Sequence, residues 1–169
     1  HKERIKSICD SLPSGLYSYE SEKTGIHVHL DRTYFDESSL GRLVSFIYCS
    51  KNDKFIKSIA QREPNDYCCK NSKSIKTNSR CSAHYKIGTS GRYQAVNLEN
   101  SKTIELRIFK GNLKYSSIVR DLEFCEALSR FCMMKLEYHK YWSKEYFIEW
   151  LLSSEEIKAR YHNLVLFVC

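Results

Sequence analysis

Apolar residues recur along this chain at two different periods. From Lys2 to Leu12, Ile5, Ile8, Cys9 and Leu12 follow helical spacing, and Pro13-Ser14-Gly15 ends the run. At residues 25–30 the period drops to two, with Ile26, Val28 and Leu30 on one side and His27 and His29 on the other. Asp36 has the form of a helix N-cap, with Phe35 and Leu40 placed as a hydrophobic staple and Leu43, Val44 and Ile47 continuing the buried face. Asn52 is placed to cap a further short helix that turns Phe55, Ile56, Ile59 and Ala60 inward and ends near Gln61-Arg62, before Pro64.

Residues 63–90 carry few apolar side chains and many Lys, Ser and Asn, which predicts a long loop. Gly88 and Gly91 bracket a turn before Arg92, and Tyr93 to Leu98 then reads as a strand. A turn at Glu99-Asn100-Ser101 leads into the clearest alternation of the chain. Ile104, Leu106 and Ile108 share one face of Thr103 to Phe109, and Thr103, Glu105, Arg107 and Phe109 share the other. The spacing predicts a hairpin over 93–109.

Gly111-Asn112 breaks this strand. Ser116 or Ser117 would cap a long helix with Ile118, Leu122, Cys125, Leu128, Phe131 or Cys132, and Leu136 inward. Ser143 opens another helix around Phe147, Ile148 and Leu151, and Ser153-Ser154-Glu155-Glu156 reads as a capping box opening a short third. Leu164 to Val168 reads as a final apolar strand or a buried tail. The pattern predicts the α+β class, an antiparallel sheet with helices packed on one face, in a single domain over residues 1–169.

Composition adds a bias toward anionic partners. The formal net charge is +7 with a pI near 8.9, and no acid lies between Asp66 and Glu99, an interval that holds Lys70, Lys73, Lys76, Arg80, Lys86 and Arg92. Nucleic acid, nucleotide phosphates and acidic substrates all fit that bias. No apolar run reaches the roughly 18 residues of a membrane span, and no signal-like N-terminus is present, so a cytoplasmic protein with no membrane partner is expected. The eight cysteines mostly fall in apolar periodic segments, as reduced core thiols would. Cys68, Cys69, Cys81 and His84 are candidates for a zinc site, but their spacing matches no paired Cys-x-x-Cys pattern.

The chemistry concentrates on the polar faces of two strands. His27 and His29 flank one residue and point the same way, so both can approach a divalent metal or a phosphate. Glu105 and Arg107 share a face of their strand. Their plain reading is an exposed ion pair of roughly 0–1 kcal/mol; their chemical reading gives Glu105 a cation and Arg107 an anion attached to it. Arg92 and Asn97, on the preceding strand, would add an anion clamp and a neutral amide to the same surface.

Three segments in succession, Gly25-Ile26-His27-Val28-His29, Arg92-Tyr93-Gln94-Ala95-Val96-Asn97-Leu98 and Thr103-Ile104-Glu105-Leu106-Arg107-Ile108-Phe109-Lys110-Gly111-Asn112-Leu113, resemble the amidoligase family common in phages. Ile59-Ala60-Gln61-Arg62 and Leu122-Glu123-Phe124-Cys125-Glu126-Ala127-Leu128 fit the same pattern, and the resemblance covers about residues 25–132. It implies a fold like the catalytic domain of glutamine synthetase and ATP-dependent joining of a carboxylate to an amine. In that scheme His27 and Glu105 would bind Mg2+. His29, Arg62 and Arg107 would serve the nucleotide. Arg92, Asn97 and Arg107 would act on phosphates, acyl phosphate and substrate. The family places further metal-binding carboxylates on strands before the His-x-His strand. The residues preceding Gly25 hold Glu3, Asp10, Glu20 and Glu22, none in a Glu-x-Glu strand, and the chain opens on His1. A chain lacking its N-terminal part, or a reduced relative, is therefore expected. Relatives that build sites between subunits leave a homo-oligomer open.

Two other readings compete. His27-Val28-His29 also matches the His-hydrophobic-His signature of rolling-circle replication endonucleases, with Tyr141 and Lys144 at a Tyr-x-x-Lys spacing. That reading leaves Glu105, Arg107 and the Arg92–Leu98 strand unexplained. A non-catalytic basic module that binds nucleic acid accounts for the charge alone.

Overall fold

The computed structural model describes residues 1–16, 24–65, 68, 70, 93–135 and 143–169. Arg92, Tyr141, Leu136, Glu20, Glu22, the glycine turn at 88–91, the proposed zinc ligands Cys69, Cys81 and His84, and most of the basic loop 63–90 lie outside the described residues. The fold is α+β. Among the described residues, seven α-helices accompany a three-stranded antiparallel sheet in the order β1-β3-β2.

Helix α1 (Lys2–Asp10) precedes β1 (Gly25–Asp31). Helix α2 (Glu37–Tyr48) begins where expected, with the Asp36 side chain accepting from the Ser39 N–H. Helix α3 (Asp53–Ala60) has Asn52 at its N-cap position, but the side chain makes no capping bond. The buried Asn52 amide instead donates to Phe46 O (3.0 Å) and accepts from the Lys144 N–H (3.2 Å), tying α2 to the segment at Lys144. Strand β2 is short (Val96–Asn97), and it pairs with the long central β3 (Thr103–Lys110) as the predicted hairpin.

Helix α4 (Tyr115–Met133) starts at Lys114 rather than at a serine cap. It is covered on more than one side, which overturns the single apolar face read from spacing. Leu122 is 37% exposed, while Arg120, Asp121 and Glu123 are buried. Helix α5 (Lys144–Leu151) takes its cap from Ser143, and α6 (Glu155–Arg160) from Ser154 alone. The C-terminal segment is not a strand: it forms α7 (His162–Val168), packed along α4. There the Glu123 carboxylate accepts from the Leu164 N–H, Asn163 Nδ2 and Lys2 Nζ, binding α7 and α1 to α4.

The core lies between the sheet and the helices. Val28, Ile104, Leu106, Ile108 and Phe109 supply the sheet side. Phe46, Phe55, Phe124, Phe131 and Phe147 supply the helix side, with several edge-to-face pairs at centroid separations of 5.5 to 6.4 Å. Phe109 stands edge-on to Phe124 at 6.2 Å and is fully buried, although strict alternation would put it on the polar face. The ladder explains this. Ile26 pairs with Phe109 and Val28 with Leu106, so Arg107 and Ile108 together oppose His27. This β-bulge shifts the period by one residue and carries Phe109 to the core side. No helix of the described residues is long and apolar enough to cross a membrane.

Candidate functional site

Helices cover one face of the sheet; the other carries the polar residues of all three strands. Glu105 lies at its centre. In register, His29 of β1 opposes it on one side and Asn97 of β2 on the other. His27 and Arg107 lie one pleat further along, brought level with each other by the bulge.

The contacts converge on one carboxylate. Arg107 Nη1 donates to Glu105 Oε1 at 2.8 Å, His27 Nδ1 lies 3.0 Å from that oxygen, and His29 Nε2 lies 3.8 Å from it. Asn97 Nδ2 donates to Oε2 at 2.9 Å, while Asn97 Oδ1 accepts from the Glu99 N–H at 3.0 Å. The side chains of Glu105 and Arg107 are each 12% exposed, against 35% for His27 and 53% for His29. The face is thus a carboxylate–guanidinium floor beneath two accessible imidazoles.

The electrostatics follow from that packing. Burial alone would raise the Glu105 pKa. The Asn97 hydrogen bond, then Arg107 and the two histidines, outweigh it and hold the carboxyl below its usual range. His27 is held below the usual imidazole range by burial and by Arg107, against the pull of Glu105. Its Nδ1 stands 3.0 Å from Glu105 Oε1, within reach of that oxygen in the Nδ1–H tautomer. That tautomer would leave the Nε2 lone pair available.

Sequence reasoning brought His27, His29, Asn97, Glu105 and Arg107 to one surface, and the structure places them together. Arg62 lies beside them, but its guanidinium is engaged with backbone: Nε donates to Ile108 O (3.0 Å), Nη1 to Thr24 O (3.4 Å) and Nη2 to Arg107 O. Two neighbours were missed. The Tyr93 ring sits 5.7 Å from the Arg107 guanidinium carbon, and Thr103 Oγ1 lies 3.3 Å from His29 Nδ1. Thr103 was legible from the alternation that places it on this face; Tyr93 carries no signal beyond its position next to Arg92.

Magnesium asks for a shell of oxygen ligands in near-octahedral geometry. Glu105 is the one carboxylate on the face among the described residues, and both its oxygens are taken by nitrogen donors. No group of three His, Cys, Asp or Glu side chains among the described residues is arranged to hold a metal. As arranged, these residues do not fit a protein-held magnesium ion.

Fold and face together define a small α+β protein whose described residues gather His27, His29, Glu105 and Arg107 on the sheet face opposite the helices. A family model described as "putative amidoligase enzyme" matches residues 2–129, most of the chain and every described residue of this face, and the chain belongs to that family. No curated protein and no solved structure matches it.

Proposed function

We propose that this chain is a ligase that joins a carboxylate to an amine at the expense of ATP, on the polar face centred on Glu105. The observation that carries the reading is the convergence of His27, His29, Asn97 and Arg107 on one carboxylate, within the span matched by the amidoligase family. In such a reaction the substrate carboxylate attacks the terminal phosphorus and ADP leaves. The amine then attacks the acyl phosphate carbon, phosphate leaves, and the nitrogen loses a proton. Arg107 supplies fixed positive charge for the anionic acyl phosphate. A neutral His27 with its Nε2 lone pair available is suited to take the proton. His29, the more exposed ring, is placed to meet the nucleotide. Asn97, engaged at both ends of its amide, holds Glu105 rather than substrate. Mg2+ belongs to this reading as a companion of the nucleotide. A likeness to the glutamine synthetase catalytic domain, a phage or mobile-element origin, assembly into a homo-oligomer and a reducing cytoplasmic setting belong to it as well.

Thermal melting with ATP and MgCl2 tests the reading. Saturating nucleotide is expected to raise the melting temperature by a few degrees or more, since ligand at ~100 times its Kd adds about 2.7 kcal/mol. Arg107→Ala should melt cooperatively but show no nucleotide shift. Absence of any shift in the unmodified chain, with manganese-dependent nicking of single-stranded DNA, would replace this reading by the His-x-His nuclease. Salt-sensitive DNA binding without cleavage would replace it by a nucleic-acid-binding module.

A further inference from the structure

We infer that Arg62 is a positioning residue: it holds the β3 bulge in the shape that brings His27 and Arg107 onto the same oxygen of Glu105. A bulge takes the carbonyls of its extra residue out of the regular ladder, and such groups need donors from elsewhere. Here the two residues opposite His27 are Arg107 and Ile108. Both of their carbonyls receive N–H groups from the one Arg62 guanidinium, through Nη2 and Nε respectively. Nη1 reaches across to Thr24 O at 3.4 Å, just before β1 begins. One planar fork therefore joins the bulge to the start of the neighbouring strand.

The surroundings are shaped to seat that fork. Gln61 ends α3 in the left-handed conformation (φ 55°), with its N–H on Lys57 O at 2.9 Å, and this turn sends Arg62 out of the helix toward the sheet. Gly25 lies beneath the guanidinium. A Cβ there would meet Arg62 Nη1 and Phe109 O at 3.0 Å and Arg62 Nη2 at 3.3 Å. The glycine suits the close approach of another group, and a Cβ there would crowd it; its own backbone angles do not call for glycine. A lysine could not replace the fork, because a single ammonium cannot meet three carbonyls spread over two strands.

The bulge does two things at once. It turns Phe109 into the core beside Phe124, and it sets Arg107 across from His27 so that both reach Glu105 Oε1. Arg62 thus acts on the polar face through the backbone, without being one of its ligand-facing groups. The inference concerns the geometry of the face and holds whichever reaction that face performs.

The test reads His27 directly, independent of nucleotide or activity. In the unmodified protein at fixed neutral pH, the imidazole 15N shifts of His27 should report the Nδ1–H tautomer directed at Glu105. Arg62→Lys and Arg62→Gln should both shift His27 toward the Nε2–H tautomer favoured by a free imidazole. The amides of Arg107 and Ile108 should exchange about tenfold faster or more, and His29 should change little. Gly25→Ala, which crowds the fork while leaving Arg62 in place, should give the same change in smaller degree, and it is decisive where an Arg62 variant fails to fold. Retention of the parent His27 tautomer in Arg62→Lys would overturn the inference, showing that charge rather than the fork matters. Loss of thermal stability in these variants with the His27 signature intact would overturn it too, leaving Arg62 a purely structural residue.

Discussion

Glu105 and Asp121 each sit against an arginine, yet their environments push them in opposite directions. On the polar face, Glu105 takes donors on both oxygens, from Arg107 at 2.8 Å and Asn97 at 2.9 Å, with His27 Nδ1 3.0 Å away, and its carboxyl is held below the usual range. In the helical layer, Asp121 meets Arg120 Nε at 3.0 Å and Nη2 at 2.7 Å, both on a single oxygen. Its side chain is 2% exposed, and burial, opposed by Arg120 alone, raises its pKa to about 7. Arg120 also lies 4.5 Å from the centre of the Phe167 ring, in a largely apolar setting. Close contact with an arginine therefore does not by itself keep a carboxylate charged. A carboxylate that keeps some access to water and has several donors stays ionised; a sealed one with a single partner tends toward the neutral acid. That difference separates a surface built for ionic chemistry from a buried pair within α4 whose arginine packs on Phe167 of α7.

The largest effect should come from removing the hub of the polar face. Glu105→Ala removes the carboxylate paired with Arg107, itself only 12% exposed, and strips Asn97 of its acceptor. Urea unfolding should show a loss of roughly 2–4 kcal/mol, since a mostly buried ion that loses its carboxylate bears part of its desolvation penalty. Glu105→Gln, which keeps an acceptor and the shape, should cost about half as much or less. A loss under about 0.5 kcal/mol for Glu105→Ala would mean that Glu105 behaves as an ordinary surface carboxylate, and the comparison with Asp121 would collapse.

Much of the polar face was legible because strands announce themselves. The alternation through Ile104, Leu106 and Ile108 fixes which residues of β3 face away from the core, and the same logic puts His27 and His29 there. The bulge was not legible. It adds one residue between Leu106 and Phe109, and a single apolar residue at the end of a strand does not reveal which face it joins. Arg62 was placed at the nucleotide by resemblance alone, and the carbonyls it meets carry no mark in a sequence. In the helical layer the failures share a cause. Leu122 was assigned inward and Asp121 left outside, because α4 is packed by α7 and α1 as well as by α2 and α5, so a single-face pattern does not describe it. The run at 164–168 is too short for its period to separate strand from helix, and its helical state comes with docking on α4.

The buried pair offers a sharper contrast through pH. Asp121 has a folded pKa near 7, above that of the unfolded chain, so between about pH 4 and 7 the folded state binds more protons. This group therefore favours folding at low pH and loses that contribution as pH rises toward its folded pKa, with a slope of up to ~1.4 kcal/mol per pH unit. Asp121→Asn should flatten stability against pH over that window, measured by urea midpoints at several pH values. His27 works the other way. Its folded pKa is depressed, so its contribution is lost as pH falls below the imidazole's unfolded value. His27→Ala should therefore steepen the net decline toward neutral pH while Asp121→Asn removes it. An unchanged profile in Asp121→Asn would show that Arg120 keeps Asp121 ionised after all.

The smallest change should move Glu105 part of the way toward the Asp121 condition. Asn97 is the strongest of the groups that lower the Glu105 pKa, ahead of Arg107 and the histidines, and among the described residues it alone donates to Oε2. Asn97→Ala removes that donor and leaves the ion pair with Arg107 in place, so it tests whether the number of donors or the arginine decides the charge. The cost in stability should be about 1 kcal/mol, the ordinary worth of one hydrogen bond with a charged acceptor in a partly exposed setting. The sign of the pH effect follows from linkage. A depressed carboxyl pKa contributes stability above the unfolded value and loses it as pH falls through the folded value. Without Asn97 the folded pKa rises, so the acid limb of the stability curve should begin at higher pH, and the Glu105 side-chain 13C signal should titrate upward with it. If that titration stays where it is in the parent protein, Arg107 alone sets the charge of Glu105. The contrast with Asp121 would then rest on exposure to water and not on the count of donors.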